Sequence, residues 1–360
     1  MNDFEKPFII VLSDKPVSYN IYSTFWIPCS AKFITFGSQT STNGIVQIHE
    51  VVDGKIKLFQ EKHLEKTLKC GTFGASSLRN RHVATGDFFG DLNIWSLYRK
   101  KALEIYFCYY RDLENSFTPI YSVQGHKEVI NDISGVAGNS VGCGAPEIVT
   151  GSRDGYVKVW DPRQKEKPVA IMESIDNIKR ECWAVAFGNS YNSQERVVCA
   201  GYDNGDIKMF DLRTMTLRWE TTIANGLCSL EFDRNDIKMN KLLATGLEGS
   251  IYIFETRDRN NDFPCIEKKI YRATIWHGKH LPQNREIFVT CGKSLHLFKY
   301  HYCDEITGER KGSIEELQHT DISEQSINSF DWSPDKIGLA VCSSFDQTIR
   351  LLCCTQLHLH

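Results

Sequence analysis

A short pattern of apolar and polar positions recurs along this chain of 360 residues. Its fullest copy spans residues 147–163, EIVTGSRDGYVKVWDPR, where an apolar run is followed by a polar turn and an alternating run that ends on an aromatic residue. Alternation with a period of two predicts a β-strand with unlike faces, so each copy predicts a hairpin of two strands. Further copies, of which the first and the fifth are weaker, occur at residues 32–50, 82–97, 196–213, 241–257, 286–300 and 338–352.

The copies share one register, which is defined by the last inward position of the second strand. These positions are His49, Trp95, Trp160, Phe210, Phe254, Phe298 and Leu352. Most of them follow one another at roughly 40–50 residues, the period that is typical of four-stranded propeller blades. The last step is mildly longer, and the step from Trp95 to Trp160 is clearly longer. An apolar run before the hairpin, such as residues 182–188, predicts the innermost strand, and the segment after the hairpin predicts the outermost.

Glycines at the hairpin turns support the same register. In five copies a glycine lies in the turn between the two strands, five residues before the register position: Gly44, Gly90, Gly155, Gly205 and Gly249. Asn-Gly and Asp-Gly pairs tolerate the positive φ angles that tight hairpins need. The sequence therefore predicts an all-β protein, a seven-bladed WD-repeat β-propeller that forms a single domain over residues 1–360.

The ring needs a closing strand, because the last hairpin has no fourth strand after it. Residues 8–12, FIIVL, are apolar and precede the first complete blade. We predict that this N-terminal segment pairs into the C-terminal blade as its outer strand. We also expect its side chains to be buried, at a gain on the order of 1.5–3 kcal/mol each.

Charge and cysteine usage exclude several classes of function. The 42 Lys and Arg residues nearly balance the 45 Asp and Glu residues, so the net charge of -3 provides no bulk attraction for nucleic acid or an acidic membrane. The 13 cysteines show no Cys-x-x-Cys pair, and no apolar run is long enough to cross a membrane. We expect a cytoplasmic monomer with no metal, no cofactor and no catalytic residues.

The third copy carries the fullest set of hydrogen-bonding residues. His126 precedes the blade, Thr150 or Ser152 lies in its second strand, Asp154 lies in the turn and Trp160 ends the third strand. These match the His, Ser/Thr, Asp and Trp tetrad of WD repeats, and we assign the hydroxyl to Ser152. We interpret the tetrad as structural, because a satisfied network of this kind fixes a turn against its neighbouring loop.

Other residues are candidates for contact with partners. Arg153, Asp203 and Trp183 are expected near the mouth of the ring from their positions at turns. Arg163 and Arg213 each follow an acid by two residues and resemble the WD-x-R box of substrate receptors for cullin-RING ubiquitin ligases. An Asp–Arg pair that staples the end of a blade is the alternative explanation. The two histidines of His277-Gly-Lys-His280 lie in a predicted strand, where positions three apart face opposite ways, which disfavours a zinc site.

The long step from Trp95 to Trp160 contains SLYRKKALEIYFCYYR, residues 96–111. Without this segment the step shortens to the ordinary blade period of roughly 40–50 residues, so we predict a surface insertion in blade 2. The segment is rich in aromatic and basic residues. A partner-binding arm and an accidental addition both remain open.

Several longer stretches resemble a family of WD-repeat axonemal dynein assembly factors. The resemblance includes irregular loops, GNSYNSQER at 188–196 and HLPQNRE at 280–286, as well as the blade consensus. It implies a cytoplasmic co-chaperone adaptor that associates with a RuvB-like ATPase and prefoldin-like chaperone complex and helps axonemal dynein chains assemble for cilia. The chain departs from the family at residues 96–111, near Gly292, and at residues 259–270. The alternative function is a substrate receptor of a cullin-RING ubiquitin ligase, and an enzyme is a third class.

Overall fold

The structure is a computed structural model. It describes residues 6–39, 43–97, 117–136, 147–164, 166–173, 178–188, 196–234, 238–257, 262–303 and 312–359. The predicted insertion at 96–111 lies outside the described residues from position 98 onward. Within the described part of the chain, no helix has the length and apolar character of a membrane span.

The described strands form seven sheets of four strands each. Blade 1 contains β2 (Asn20–Trp26), β3 (Lys32–Ser38), β4 (Gly44–Val52) and β5 (Lys55–Leu64). Blade 2 contains β6 (Leu68–Thr72), β7 (Val83–Asp87), β8 (Asp91–Ser96) and β9 (Thr118–Gln124). Blade 3 contains β10 (Ile130–Gly135), β11 (Ile148–Ser152), β12 (Val157–Trp160) and β13 (Ala170–Met172).

The second half of the ring repeats this organisation. Blade 4 contains β14 (Cys182–Gly188), β15 (Val197–Tyr202), β16 (Asp206–Asp211) and β17 (Thr216–Thr222). Blade 5 contains β18 (Leu227–Phe232), β19 (Lys241–Gly246), β20 (Ser250–Glu255) and β21 (Cys265–Lys269). Blade 6 contains β22 (His277–Leu281), β23 (Asn284–Cys291), β24 (Leu295–His301) and β25 (Ser313–Thr320). Blade 7 contains β26 (Ile327–Trp332), β27 (Leu339–Ser344), β28 (Thr348–Cys354) and β1 (Ile9–Pro16), and a 3₁₀ turn (Leu357–Leu359) follows β28.

The predicted seven-bladed propeller is confirmed. All seven register positions lie in the third strand of their blade. The glycines of four turns have positive φ angles: Gly90 (88°), Gly155 (88°), Gly205 (90°) and Gly249 (75°). Gly44 is the exception, because it is the first residue of β4 and has no positive φ.

The apolar core lies between neighbouring blades. One buried cluster joins Cys199 and Met209 of blade 4 to Leu242 and Phe254 of blade 5. Another cluster joins blade 6 to blade 7 in the same way. Each blade therefore buries a sheet face against the next blade, as the alternation of apolar and polar positions in the strands predicts.

The predicted closure is confirmed, although its energetic basis is different. β1 pairs antiparallel with β28, from Ile9 opposite Cys354 to Pro16 opposite Thr348. The side chains of residues 8–12 are not buried as expected, because Phe8, Ile10, Val11 and Leu12 are 41–47% exposed. Only Ile9 packs against the blade 6–7 cluster. The strand closes the ring mainly by occupying the free edge of β28 with backbone hydrogen bonds.

Candidate functional site

A hydrogen-bond network crosses blade 3 from its third strand to the loop before its first strand. Trp160 Nε1 donates to Thr150 Oγ1 over 2.9 Å, and that hydroxyl lies 2.8 Å from His126 Nε2. His126 Nδ1 lies 3.1 Å from both carboxylate oxygens of Asp154. The tetrad hydroxyl therefore belongs to Thr150, and the assignment to Ser152 is corrected. Ser152 Oγ instead accepts the backbone N–H of Asp154 at 3.1 Å, because it stands at the end of the strand beside the turn.

The protonation of this network follows from its contacts. Burial lowers the pKa of His126, although Asp154 opposes the shift, and this favours the neutral ring. Burial alone would raise the pKa of Asp154, but hydrogen bonds from His126 and from backbone N–H groups hold it well below its usual range. With the proton on Nδ1, the ring donates to Asp154 and accepts the hydroxyl proton of Thr150 at Nε2. Each side-chain donor from Trp160 to Asp154 then has an acceptor, as expected for a structural network.

Two other blades contain partial versions of the network that the sequence did not reveal. In blade 2, Trp95 Nε1 donates to Thr85 Oγ1 over 2.8 Å. In blade 1, Thr35 Oγ1 lies 2.7 Å from the Tyr19 hydroxyl and 3.5 Å from His49 Nε2. His49 is fully buried and stacks on a phenylalanine ring at 5.0 Å. The shared feature is a threonine in the second strand that faces the same side of the sheet as the register position, 10 residues before it in blade 2 and 14 residues before it in blade 1.

Three candidate partner-binding residues lie together between blades 3 and 4. Arg153 Nε donates to Glu181 Oε1 over 2.7 Å, and Trp183 Nε1 donates to Glu181 Oε2 over 3.2 Å. The backbone N–H of Asp203 donates to the carbonyl of Glu181 over 3.0 Å. Lys179 and Glu128 form an adjoining ion pair at 2.5 Å. Glu181 therefore joins Arg153, Trp183 and Asp203 into one surface, which we call the Glu181 cluster.

The Glu181 cluster lies on one face of the ring. The turns between second and third strands, which contain Arg153 and Asp203, share this face with the start of each first strand, because neighbouring strands run antiparallel. We call it the upper face. The turns between third and fourth strands, which contain Arg163 and Arg213, lie on the opposite, lower face. The five candidate residues therefore form two separate groups.

On the lower face, each candidate arginine contacts its own acid. Arg163 Nε and Nη2 donate to Asp161 at 3.0 and 2.8 Å, in the fork geometry of an Arg–carboxylate pair. The hydrogen bonds from Arg163 lower the pKa of Asp161. The backbone N–H of Arg213 donates to Asp211 Oδ1 over 2.8 Å. The side chain of Arg163 remains 66% exposed, so the pair both braces the blade end and presents a cation to solvent.

Glu255 and Arg257 form a third acid–arginine pair with the same spacing, and this pair holds blades 5 and 6 together. Glu255 is 5% exposed and accepts the hydroxyl proton of Tyr300 and the backbone N–H of Gly312, both from blade 6. Arg257 Nη2 donates to Glu255 over 3.2 Å, and its guanidinium stacks 4.8 Å from the Tyr302 ring. The Glu255–Arg257 pair therefore has a structural role, the alternative to a ligase-binding box that the sequence left open for such acid–arginine pairs.

A cavity of about 950 Å³ runs through the centre of the ring. Acids on the first strands of three blades line it and accept a backbone N–H from the first strand of the next blade. The pairs are Asp132 with Val185 (2.8 Å), Glu231 with His280 (2.6 Å) and Asp331 with Trp26 (2.8 Å). We call these contacts the inner latches. The sequence contains a signal for two of the three latches, since Ser-x-Glu and Ser-x-Asp recur at residues 229–231 and 329–331.

The inner latches create a channel of mixed charge. Lys279 Nζ lies 3.0 Å from Glu231, and this cation, together with His280, lowers the pKa of Glu231 to about 2 although burial opposes the shift. Burial raises the pKa of Asp331 to about 6 and lowers the pKa of His277 to about 4. His280 Nδ1 contacts Glu231 at 3.2 Å, so this histidine serves the latch. The charged groups of the channel therefore join neighbouring blades.

Comparison with known proteins agrees with the geometry. Residues 117–161 and 314–351 match the family model of the WD domain, G-beta repeat. The seven four-stranded sheets and the blade 3 tetrad place the chain in the class of WD-repeat β-propellers.

Individual relatives define the family more narrowly than the repeat model does. The chain is 53% identical over 373 residues to dynein axonemal assembly factor 10 of Bos taurus, which covers 99% of both chains. It is 44% identical over 367 residues to dynein axonemal assembly factor 10 of Chlamydomonas reinhardtii, which covers 98% of both. A more distant relative is nucleoporin Nup43 of Mus musculus, at 25% identity over 45% of this chain and 38% of the nucleoporin. The chain belongs to the dynein axonemal assembly factor 10 family.

Proposed function

We propose that this protein is a non-catalytic scaffold for the assembly of axonemal dynein in the cytoplasm. The similarity to relatives named for that role, over 98–99% of both chains, is the observation that carries the proposal. The fold suits the role, because a closed ring offers two faces of loops on one rigid frame. We further propose that a RuvB-like ATPase and prefoldin-like chaperone complex and the axonemal dynein chains are the partners.

The Glu181 cluster is the best supported partner surface of the described residues. It combines a half-exposed arginine and a partly exposed tryptophan, the residue types that contribute most to binding energy at protein interfaces. Glu181 holds both side chains, so little rotamer entropy remains to be lost on binding. Further aromatic residues line the mouth of the channel on the same face: Tyr22, Phe88 and Trp276. We propose that the chaperone complex binds this face.

The test is affinity purification of tagged protein from ciliated cells, with quantitative mass spectrometry. The upper-face variant combines Arg153→Glu with Trp183→Ala, and the matched lower-face control is Arg163→Glu. We expect the upper-face variant to lose chaperone subunits at least tenfold, since an interface centre of this type is worth about 2 kcal/mol or more per residue. The control should retain them. Equal recovery by wild type and both variants would contradict the assignment of the face.

A second candidate function is a substrate receptor of a cullin-RING ubiquitin ligase. The exposed guanidinium of Arg163 on the lower face is the observation that favours it. Its bidentate pair with Asp161 weakens the case, because Arg163 Nε and Nη2 already donate within the chain. The variant with both Arg163→Ala and Arg213→Ala separates the functions. Loss of a ligase adaptor with retention of the chaperone subunits would favour the receptor, and retention of all partners favours the scaffold.

A further inference from the structure

Three side chains on the outer strands of blade 6 converge although their spacing in the sequence argues against it. His296 on β24 lies opposite His319 on β25, so the two side chains share one face of the sheet. Glu316 is three residues before His319 and would face the other way in a regular strand. A bulge interrupts the pairing between Leu297 and Phe298, and it places Glu316 opposite Phe298. The extra residue restores Glu316 to the face of the two histidines.

Two of the three distances between the ligand-type atoms already match those of a metal site, and the third atom pair lies within 4.8 Å. His296 Nδ1 lies 3.0 Å and His319 Nδ1 lies 3.2 Å from the same oxygen, Glu316 Oε1, and these three atoms fall within 4.8 Å of one another. In a tetrahedral zinc site, metal–ligand distances of about 2.0–2.2 Å separate neighbouring ligand atoms by about 3.3 Å. Little movement is therefore needed for the three atoms to surround one ion.

The surroundings hold two of the ligands in place. His296 is 8% exposed, and its ring is stacked on Phe298 and tilted against Tyr271. Its Nε2 atom is buried and has no hydrogen-bond partner among the described residues, so Nδ1 is the nitrogen that faces the cluster. The other carboxylate oxygen, Glu316 Oε2, lies 3.8 Å from Lys268 Nζ. That ion pair orients Glu316 and leaves Oε1 for the histidines, as partners behind metal ligands do.

We propose that His296 Nδ1, Glu316 Oε1 and His319 Nδ1 form a zinc-binding site on the rim of blade 6. Two imidazoles and one carboxylate are a known zinc ligand set, and imidazole selects Zn²⁺ over Mg²⁺ or Ca²⁺. The side chain of His319 is 70% exposed and that of Glu316 is 32% exposed, so the fourth position opens to solvent. Water fills it in the isolated protein, and a side chain of a docked protein can replace that water.

The same two strands provide a matched control. His301 Nε2 lies 2.8 Å from Glu315 Oε2, so this pair also joins β24 to β25, but no second histidine contacts it among the described residues. Both Glu316 and His319 reach the surface, and their substitution should leave the fold intact. Any zinc bound by the 13 cysteines is common to all variants.

The test is titration of chelator-treated protein with Zn²⁺ in competition with a chromophoric chelator. Wild type and His301→Ala should bind one more equivalent than His319→Ala or Glu316→Gln, or bind it at least tenfold more tightly. The expectation follows because loss of a partner behind a ligand already costs about 10–100-fold. Zn²⁺ should also raise the melting temperature of wild type and His301→Ala more than that of His319→Ala. Equal zinc binding and equal melting shifts in all four proteins would overturn the proposal.

Discussion

The tetrad of blade 3 allows a quantitative test of how the blades are stabilised. Thr150 is fully buried, and its hydroxyl joins Trp160 to His126 through bonds of 2.9 and 2.8 Å. Thr150→Val replaces that hydroxyl with a methyl group of similar size. The substitution leaves the indole N–H and the imidazole Nε2 without partners. A buried polar group that loses its partner costs about 1–3 kcal/mol, so two should cost about 2–6 kcal/mol.

Blade 2 supplies the matched control. Thr85 is also fully buried, and its hydroxyl accepts one bond from Trp95 at 2.8 Å. Thr85→Val should therefore cost about 1–3 kcal/mol, which is half of the loss expected at Thr150. The comparison removes the common effects of exchanging a hydroxyl for a methyl group in a buried second strand. The difference between the two free-energy losses is then the contribution of the hydrogen bond to His126.

Equilibrium unfolding in urea, followed by circular dichroism and by tryptophan fluorescence, measures the two losses. Coincident transitions by the two probes are required before free energies are compared, because repeat folds can unfold in stages. Introducing Thr150→Val into a His126→Ala protein should cost about 0.5–3 kcal/mol less than in wild type, since the two residues share one network. Equal losses for Thr150→Val and Thr85→Val would refute the role of the histidine.

Three further predictions concern other parts of the ring. Deleting residues 1–16 should lower the melting temperature, because β28 loses its edge partner, and an unchanged melt would argue against closure by β1. Because burial raises the pKa of Asp331 to about 6, its contribution to stability is present at low pH and lost as the pH rises through 6. The melting temperature of Asp331→Asn relative to wild type should therefore be higher at pH 8 than at pH 5, and a fall would contradict this sign. Alkylation of native protein should modify exposed Cys29 before Cys342, whose pKa burial raises to about 12, and mass spectrometry that finds equal rates would refute it.

The fold could be predicted because its signal is repeated. Each blade needs the same alternation and the same turn, so weak copies such as residues 286–300 gain support from strong ones. The closing strand followed from counting strands. Its exposure could not be foreseen, because an apolar run does not reveal how much of a fourth strand the neighbouring blade covers.

The candidate site is less predictable from the sequence than the fold, because it depends on contacts between particular side chains that the strand pattern does not give. Thr150 and Ser152 lie two residues apart on the same face, and only the observed distances assign the tetrad hydroxyl to Thr150. The Glu181 cluster was partly foreseen, since Arg153 and Asp203 occupy equivalent turns. The repeated pattern does not single out Glu181, because this residue lies before the first strand of its blade and outside the hairpin. The convergence of His296 with Glu316 depends on a bulge, which strand periodicity does not predict.

The most direct test of the proposed function is complementation in ciliated cells from which the endogenous dynein axonemal assembly factor 10 has been removed. Axonemes are isolated after re-expression of this protein, and their dynein heavy chains are quantified by mass spectrometry. We predict that wild type restores the heavy chains and that the variant with Arg153→Glu and Trp183→Ala, expressed and folded to the same level, does not. Failure of wild type to restore axonemal dynein would contradict the scaffold function, and full restoration by the variant would contradict the role of the Glu181 cluster.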